Sequence, residues 1–508
     1  MSRASAAMTV LVVALIAAAC GSSSESTQPS TTTTVTTPTS LPPVNCDVDP
    51  PQQWVVEGEA AMAVIDCGDR DLAVVAAPAG VAVGDGTVEW TPGLDQAGVH
   101  HIVLEGDGGS ARWTVGVADA FAEPGNVPVV DPLTLTHEYG LEVMHLFTDD
   151  ALSTEYTDAS LTHGGHRYDA EIRIRGALSL QYPKPNFTVR LGEPFRSDDP
   201  AFDGLDRLVL VAGFDDNSAL RNRLAQQLWS DIDDRHLDVP HGSVVVYLDG
   251  AYVGLYTVLE NVNDEYLGRH QLDPAGQLFK GNDARADFRL DDPDPAAGFE
   301  KKSGAPEDGP AAFGPIADLV EFAATSSDDR FVAEVDQWVD THDVIDWFVF
   351  VSFISAGDSA NKNAYWYQSD AGDAFRYVPW DFNHSFGQDF LTVRRPADTD
   401  LPLSFLAMNG LFERFWADPD LRRRVIVRYG ELLAGPLAPA ALGATIDTLV
   451  ADIDLNLARN EQRWGSTHEQ FRLWSDRPDI NTGTGEIDYI RQWIVDRHAV
   501  VAAEVAEL

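Results

Sequence analysis

Basic residues are scarce in this sequence, and their scarcity limits what the protein can bind. The 508 residues contain 80 acidic and 35 basic side chains, which gives a formal net charge of -45. A surface of this charge repels nucleic acid and anionic lipid, so we expect no nucleic-acid partner. The charge predicts a solvated, highly soluble surface rather than a specific acidic binding face. A nucleotide bound by such a protein would need cations and locally placed Lys or Arg side chains.

Long hydrophobic runs are also lacking, since no segment after the N-terminus reaches the roughly 18 apolar residues of a membrane span. Residues 1–20 have the form of a secretion signal, with Arg3, an apolar run over 6–19, and Cys20. The small residues before Cys20 resemble a bacterial lipobox, in which the cysteine is lipidated. We therefore predict an extracytoplasmic protein, lipid-anchored on the outer side of the membrane or at the cell surface. An ordinary cleaved signal peptide is the alternative.

Cysteine is rare, because only Cys46 and Cys67 follow Cys20. An even pair in an oxidising compartment predicts a disulfide between them. Closing a loop of about twenty residues would stabilise a small domain by roughly 3 kcal/mol through chain entropy. A metal site would need more ligands than these two sulfurs.

The chain is long enough, and at 44% hydrophobic residues apolar enough, for two or three domains with proper cores. Residues 21–44 are almost entirely Ser, Thr, Pro and Gln, which predicts a disordered linker. Residues 45–120 contain short alternating apolar runs separated by Gly, Pro and Asp, which predicts a small all-β sandwich. The segment 86–92 resembles the immunoglobulin-like and cadherin-like repeats of bacterial surface proteins. Such a module serves as a spacer or as a partner-binding domain, and we favour the spacer.

The third region, 128–508, begins with strands and continues with helices, which predicts a two-lobed α+β domain with a site in its cleft. We predict strands at 141–147, 168–175, 187–191, 205–211 and 244–259, the last divided by a hairpin turn at Asp249-Gly250. We predict helices at 220–229, 343–355, 411–433, 439–463 and 487–508. Residues 343–355 are apolar on almost every side, as a buried helix would be.

Asp358, Asn363 and Asp381 follow that predicted buried helix and have the spacing of a phosphotransfer site. Phosphoryl transfer needs a carboxylate that orients the attacking hydroxyl, and oxygen ligands that hold a metal on the phosphates. Protein kinases place Asp and Asn five residues apart and a later Asp before Phe. Taken alone, the pattern is weak, because these residues also occur in ordinary turns.

Several further segments, in the same order, make the resemblance more specific. They are Ile-Arg-Ile-Arg-Gly at 172–176, Pro-Lys-Pro-Asn-Phe at 183–187, Leu-Arg-Asn at 220–222, Tyr-Leu-Asp-Gly-Ala-Tyr-Val-Gly-Leu-Tyr at 247–256 with Glu260 after it, and Pro-Trp-Asp-Phe at 379–382. Over about 135–400, the chain resembles the CotH kinase family of atypical, secreted or surface-located kinase-like proteins. The resemblance implies an atypical protein-kinase-like domain with a β-rich N-lobe and a helical C-lobe.

The resemblance also implies roles for single residues. Asp358 would be the catalytic carboxylate, and Asn363 and Asp381 would bind Mg²⁺ or Mn²⁺. Lys184 would contact the phosphates of ATP, with Glu260 as its ion-pair partner, and Arg175 would serve the same end as Lys184. The alternative is that Lys184 and Arg175 are edge-strand charges and Glu260 a surface residue. Arg221 and Asn222 are either part of the site or structural contacts.

Two departures from the family pattern bear on activity. Ala177 and Leu178 follow the Arg-Gly pair where the family usually has Asn and Ser, so the turn over the nucleotide is altered. Asn383 stands where the family commonly carries a second acid, and an amide is a weaker ligand for a hard cation. A catalytically degenerate member is therefore an open alternative.

The remaining candidates near the motif have simpler interpretations. We expect His342 and His384 to be packing or hydrogen-bonding residues, because they lack metal-ligand spacing. The aromatic side chains near the motif are expected in the core: Trp366, Trp380, Phe382 and Phe386. The run Arg422-Arg423-Arg424 is expected to lie on a solvated helix face.

The sequence supports a leading function and two alternatives. The leading hypothesis is an extracytoplasmic kinase that transfers phosphate from Mg-ATP or Mn-ATP to a cell-surface or secreted protein. The second is a surface adhesion or recognition protein that keeps the scaffold without turnover. The third is transfer of AMP instead of phosphate, which residue spacing does not separate from the first.

Overall fold

The computed structural model describes residues 46–508, except 69–71, 85, 94–95, 97, 107–108, 119–131, 149, 198 and 476. The predicted signal peptide with Cys20 and the predicted linker 21–44 lie outside the described residues. Within the described part, the protein is a mixed α and β structure, as the sequence predicts.

The N-terminal region consists of two four-stranded sheets that share one apolar core. Their strand orders are β1-β3-β6-β5 and β2-β8-β7-β4. Trp90 from one sheet and Trp113 from the other are both buried in the shared core, so the region is the small sandwich predicted for 45–120. The strands are β1 (Asp47–Asp49), β2 (Gln52–Val56), β3 (Ala61–Asp66), β4 (Leu72–Ala76), β5 (Ala82–Gly84), β6 (Thr87–Trp90), β7 (Gly98–Gly106) and β8 (Gly109–Ala118).

The predicted disulfide is present in this region. Cys46 and Cys67 are bonded, with their Cα atoms 4.7 Å apart. Both side chains belong to the sandwich core or pack against it. The cross-link therefore ties the start of β1 to the end of β3.

A third sheet follows, and its hydrogen bonding closes on itself. Its order is β11-β12-β13-β14-β16-β15-β10-β9, and β10 also pairs with β11, which makes a ring of seven strands. Apolar side chains from every strand of the ring fill its interior. The strands are β9 (His137–Glu138), β10 (Leu141–Thr148), β11 (Thr157–His163), β12 (His166–Arg175), β13 (Asn186–Leu191), β14 (Arg207–Val211), β15 (His241–Leu248) and β16 (Ala251–Glu260).

The remaining described residues contain a four-stranded antiparallel sheet and ten α-helices. The sheet order is β18-β17-β19-β20, with strands β17 (Gln277–Gly281), β18 (Phe299–Ser303), β19 (Ala364–Gln368) and β20 (Arg376–Pro379). The helices are α1 (Arg221–Ile232), α2 (Asp264–Arg269), α3 (Gly314–Thr325), α4 (Asp328–Trp338), α5 (Thr341–Phe353), α6 (Gly410–Ala417), α7 (Pro419–Ala434), α8 (Pro439–Ala451), α9 (Asp454–Glu469) and α10 (Gly483–Glu507).

Helix α5 is the centre of the largest apolar core, which confirms the prediction of a buried helix. Asp340 caps its N-terminus, because its side chain accepts hydrogen bonds from the backbone N–H groups of His342 and Asp343. At its other end, a short 3₁₀ helix, Gly357–Ala360, carries Asp358. The position of α5 therefore sets where Asp358 lies.

Two long predicted helices are wrong in one respect, because each is divided in the structure. The stretch 411–433 is split between α6 and α7 at Asp418-Pro419. Pro419 has no backbone N–H and cannot continue α6, but proline is well suited to the first turn of a helix such as α7. The side chain of Asp418 caps α7, because its Oδ1 accepts hydrogen bonds from the backbone N–H groups of Asp420 and Leu421, both at 2.9 Å. The stretch 439–463 is also divided, because α8 ends at Ala451 and α9 begins at Asp454.

No single helix in the described part of the chain is long and apolar enough to cross a membrane. Only α7 and α8 together, bent by 58°, meet that test of length and composition.

Candidate active site

The register of the four-stranded sheet brings Asn363 and Asp381 to the same end of it. Ala364 in β19 pairs with Pro379 in β20. Asn363, which directly precedes Ala364, and Asp381, two residues after Pro379, therefore lie at the same edge of the sheet. The backbone N–H of Asn363 also donates to the carbonyl of Gly281 in β17, at 2.9 Å. Two residues far apart in sequence are thus positioned by one antiparallel pairing.

Both residues have a left-handed backbone conformation, with φ of 54° at Asn363 and 65° at Asp381. Asn and Asp tolerate this region better than most residues, yet it still costs free energy. Such conformations persist where the surrounding structure enforces them, and they are concentrated at functional sites.

Asp358 is held beside this sheet edge by its own neighbours. The hydroxyl of Ser359 donates to the carbonyl oxygen of Asp381 at 3.3 Å, and the Nζ of Lys362 lies 3.2 Å from the Oδ2 of Asp358. The three residues predicted to form the phosphotransfer site are therefore brought together by β19, β20 and the end of α5.

His384 is a hydrogen-bonding residue, one of the two roles that we expected for it. Its Nε2 lies 2.8 Å from the Oδ2 of Asp215, and its Nδ1 lies 3.8 Å from the Oδ2 of Asp358. Burial lowers the pKa of His384, but the carboxylates of Asp215 and Asp358 outweigh it and raise that pKa to about 10. His384 is therefore a cation at neutral pH that links two aspartates.

The pKa of Asp358 follows from the same contacts. Burial raises it, but His384 and Lys362 outweigh burial and hold the pKa of this carboxyl below its usual range. Asp358 is thus ionised at neutral pH, and its side chain remains 35% exposed, within reach of a substrate.

Asp215 is a buried carboxylate on which several polar groups converge. Its Oδ2 accepts hydrogen bonds from the amide of Asn383 at 2.6 Å and from the hydroxyl of Tyr182 at 3.3 Å. Burial raises the pKa of Asp215, but His384 and these donors outweigh burial and lower it. A second carboxylate at position 383 would face Asp215 directly, so the departure from the family pattern has a local physical reason.

The other end of the Asn383 side chain bears on metal binding. Its Oδ1 is buried and has no hydrogen-bond partner among the described residues. An orphaned amide oxygen two residues after Asp381 fits a divalent cation, because Mg²⁺ and Mn²⁺ prefer oxygen ligands. The donor set of Asn363, Asp381 and Asn383 is therefore suited to such a metal.

Arg175 and Lys280 supply positive charge beside Asp381. The charge of Asp381 acts on the pKa of both side chains, and the guanidinium of Arg175 lies over the Trp380 ring at 5.5 Å. Burial and the charge of Arg175 lower the pKa of Lys280 to about 8, although Asp381 opposes them. These are the locally placed cations that an anionic ligand requires on so acidic a protein.

Sequence reasoning missed Lys280 altogether. The chain contains only five lysines, at 184, 280, 301, 302 and 362. Lys280 stands next to a glycine at the end of an apolar strand. Rarity and position together were the signal that could have identified it.

Lys184 and Glu260 do not form the predicted ion pair. The Nζ of Lys184 is buried and donates to the carbonyl oxygens of Ala212 and Leu255, at 2.8 and 2.5 Å, and to the side-chain oxygen of Asn460, at 2.9 Å. All three of its donors are thereby used within the protein. Burial and the charge of Arg463 hold its pKa well below the usual range. This geometry gives no support to a phosphate contact by Lys184.

Glu260 has other partners. Its carboxylate lies 3.0 Å from Arg269 and 2.9 Å from His270. Because both of these residues belong to α2 or follow it directly, Glu260 fastens that helix to β16. Its predicted role as the partner of Lys184 is therefore wrong.

Arg221 and Asn222, which were left between two interpretations, make structural contacts. Arg221 is fully buried, pairs with Asp216 at 2.7 Å and donates to the carbonyl of Ser385 at 2.9 Å. The Oδ1 of Asn222 accepts a hydrogen bond from the backbone of Phe382 at 3.3 Å. Both side chains thus support the segment that follows Asp381.

The smaller predictions around the site are confirmed. Four aromatic side chains are buried in the apolar cores, namely Trp366, Trp380, Phe382 and Phe386. Residues 422–424 lie in α7, where Arg423 and Arg424 are exposed.

The altered turn after Arg175 has a specific geometry. Gly176 has a φ of 128°, and a Cβ atom added there would lie 1.9 Å from the Oγ of Ser179. Only glycine fits this position. The turn continues into a short 3₁₀ helix, Leu178–Gln181, which contains one of the two residues that depart from the family pattern.

Comparison with known proteins gives a family match and a relative. A family model described as "CotH kinase protein" matches residues 172–501. The inner spore coat protein H of Bacillus subtilis (strain 168) is 27% identical over 239 residues, which cover 46% of this chain. The match spans 63% of that relative's length.

Proposed function

The chain belongs to the CotH kinase protein family, and on that premise we propose that it transfers phosphate from ATP to a hydroxyl group of a protein. The observation that carries the proposal is the meeting of Asp358, Asn363 and Asp381 at one sheet edge, beside the cations Arg175 and Lys280. The proposal includes an extracytoplasmic location and a cell-surface or secreted acceptor, which the N-terminal sequence and the spore coat relative support.

Asn363, Asp381 and the free oxygen of Asn383 would hold Mg²⁺ or Mn²⁺. When bound, such a metal neutralises the charge of the phosphates and fixes their orientation. Arg175 and Lys280 would bind the same phosphates from the protein side, because charge-assisted hydrogen bonds to phosphate are strong.

Asp358 would receive the acceptor hydroxyl. A bond forms between the hydroxyl oxygen and the γ-phosphorus, the bond from that phosphorus to the bridging oxygen breaks, and ADP leaves. The hydroxyl proton passes to the carboxylate of Asp358 and then to solvent. Lys362 and His384 orient this carboxylate and keep it ionised, so that it accepts the hydroxyl hydrogen bond before transfer begins.

The test is to incubate the purified full chain with Mn²⁺ and ATP labelled at either the α- or the γ-phosphate. Asp381→Ala is measured in parallel, and Asp373→Ala, an exposed acid in the β19–β20 turn, is the matched control. Phosphate transfer requires that γ-label reach the protein or an acceptor, that Asp381→Ala abolish it, and that Asp373→Ala retain it. Transfer of α-label would instead establish AMP addition.

A second candidate function is adhesion or recognition at the cell surface without turnover. The β-sandwich that precedes the matched region favours it, because such modules carry or present binding domains. Absence of label transfer, combined with cell-surface binding that Asp358→Asn leaves unchanged, would favour adhesion over catalysis.

A further inference from the structure

A second group of titratable side chains lies at the opposite end of α5 from Asp358. His342 and Asp346 are four residues apart near the start of α5, and His236 is in the segment that follows α1. Each offers one possible ligand atom, and these atoms all lie within 4.8 Å of one another. Residues four apart on a helix share a face, so α5 presents two ligands together and the α1 segment adds a third.

The hydrogen bonds of His236 leave its second nitrogen as an acceptor. Its Nδ1 lies 3.1 Å from the carbonyl oxygen of Trp229, which can only accept, so Nδ1 carries the proton. Its buried Nε2 lies 3.1 Å from the Oδ2 of Asp346 and makes no hydrogen bond among the described residues. In the neutral imidazole, two acceptors therefore face each other and need a cation between them.

His342 adds a second imidazole to this cluster and also contacts Asp346. The Nε2 of His342 lies 2.9 Å from the Oδ2 of Asp233 and 3.1 Å from the Oδ2 of Asp346. Arg428 donates to both oxygens of Asp346, at 2.6 and 2.9 Å. This bidentate contact fixes the carboxylate and leaves a lone pair of Oδ2 directed toward the histidines.

We propose that His236, His342 and Asp346 bind a zinc ion. Zn²⁺ takes four nitrogen and oxygen ligands in a tetrahedron. Two imidazoles disfavour Mg²⁺ and Ca²⁺, which prefer oxygen. The Nδ1 contact of His236 with a backbone carbonyl is the outer hydrogen bond that orients a metal-bound histidine.

This site is distinct from the oxygen-only donor set at Asn363 and Asp381, and it has a structural role. The ion joins the segment after α1 to the first turns of α5, the helix whose other end leads to Asp358. Binding to the folded state alone would stabilise that connection.

The test uses the full chain without a histidine tag, treated with a chelator and then titrated with Co²⁺ followed by Zn²⁺. We expect one Co²⁺ per chain with the intense visible absorption of tetrahedral coordination, displaced by Zn²⁺. His342→Gln should weaken Co²⁺ binding at least about 100-fold. The side chain of His342 is 30% exposed, so this variant should fold, and His236→Asn provides a second variant.

Two controls separate this site from others. His166→Gln removes a partly exposed histidine that contacts Glu193 at 2.7 Å, and it should leave Co²⁺ binding unchanged. Asp381→Asn should also leave the tetrahedral spectrum unchanged, even if it abolishes phosphate transfer. Absence of the spectrum in the wild-type chain, or a spectrum that survives His342→Gln and His236→Asn, would overturn the proposal and leave an imidazolium–carboxylate ion pair.

Discussion

The closed seven-strand sheet and the four-stranded sheet each hold a lysine at an apolar position, and the two lysines differ in their partners. Lys184, beside the closed sheet, donates its three hydrogens to oxygens of the protein. Lys280, in β17, lies near the charges of Arg175 and Asp381. A buried cation is therefore available to a ligand only if the fold leaves its donors unused. By this criterion, Lys280 rather than Lys184 is the candidate for binding phosphate.

The largest expected effect tests whether the four-stranded sheet is the reaction centre. Asp358→Asn should lower the rate of phosphate transfer about 10³-fold, because it removes the carboxylate that accepts the hydroxyl hydrogen. Thermal unfolding should change little, since this side chain is partly exposed. Transfer at the wild-type rate in γ-label assays would exclude Asp358 as the general base.

The next effect concerns the stability of the closed sheet. Lys184→Met should lower the free energy of unfolding by about 3 kcal/mol, because it leaves three buried acceptors without a donor. Urea denaturation measures this loss, and Arg196→Met, at a side chain that is 67% exposed, is the control. A fully stable variant that has lost ATP binding would restore the original assignment of Lys184 to phosphate.

The matching substitution in the four-stranded sheet should affect function instead. Lys280→Met should reduce kcat/KM for ATP about 10²-fold, since a charge-assisted contact to phosphate is lost. Lys280→Arg should retain most of the activity, because it keeps the charge. If Lys184→Met and Lys280→Met lost equal stability, and Lys280→Met kept its activity, the two lysines would not differ in role.

The smallest effect is a pH dependence. The pKa of Lys280 is about 8, so the side chain is charged below that pH and neutral above it. Because an anionic ligand binds the charged form, ATP affinity should fall about 10-fold between pH 7 and pH 9. In Lys280→Arg the affinity should be nearly constant over that range, because arginine stays protonated. Isothermal titration with Mg-ATP at both pH values decides the matter.

Much of the fold could be predicted from local patterns. The strands of the closed sheet other than β11, the turn at Asp249-Gly250, the buried helix α5 and the disulfide were predicted near their observed positions. Alternating and helical periodicities report which face of an element is buried. The breaks at Pro419 and at 452–453 were missed, because the apolar stripe of the sequence continues across both of them.

The site was predicted in part, and the failures share one cause. Asp358, Asn363 and Asp381 were found by spacing, because one short segment of chain carries all three. The pairing of Lys184 with Glu260 was wrong, and the hydrogen-bonding role expected for His384 came without its partner. In each case the deciding partner comes from a distant segment: Asn460 for Lys184, and Asp215 for His384.

Composition and residue order determined the class of fold and the family resemblance, and they singled out Asp358, Asn363 and Asp381 as candidates, since these properties are local or additive along the chain. Only the packed structure decided which cations are held by protein oxygens, which carboxylates are paired with a cation, and that two histidines lie beside Asp346. Those outcomes depend on hydrogen-bond donors and acceptors that become neighbours only on folding. Burial then makes every unmatched group costly, so the partners that folding provides determine whether a charged residue is structural or available for chemistry.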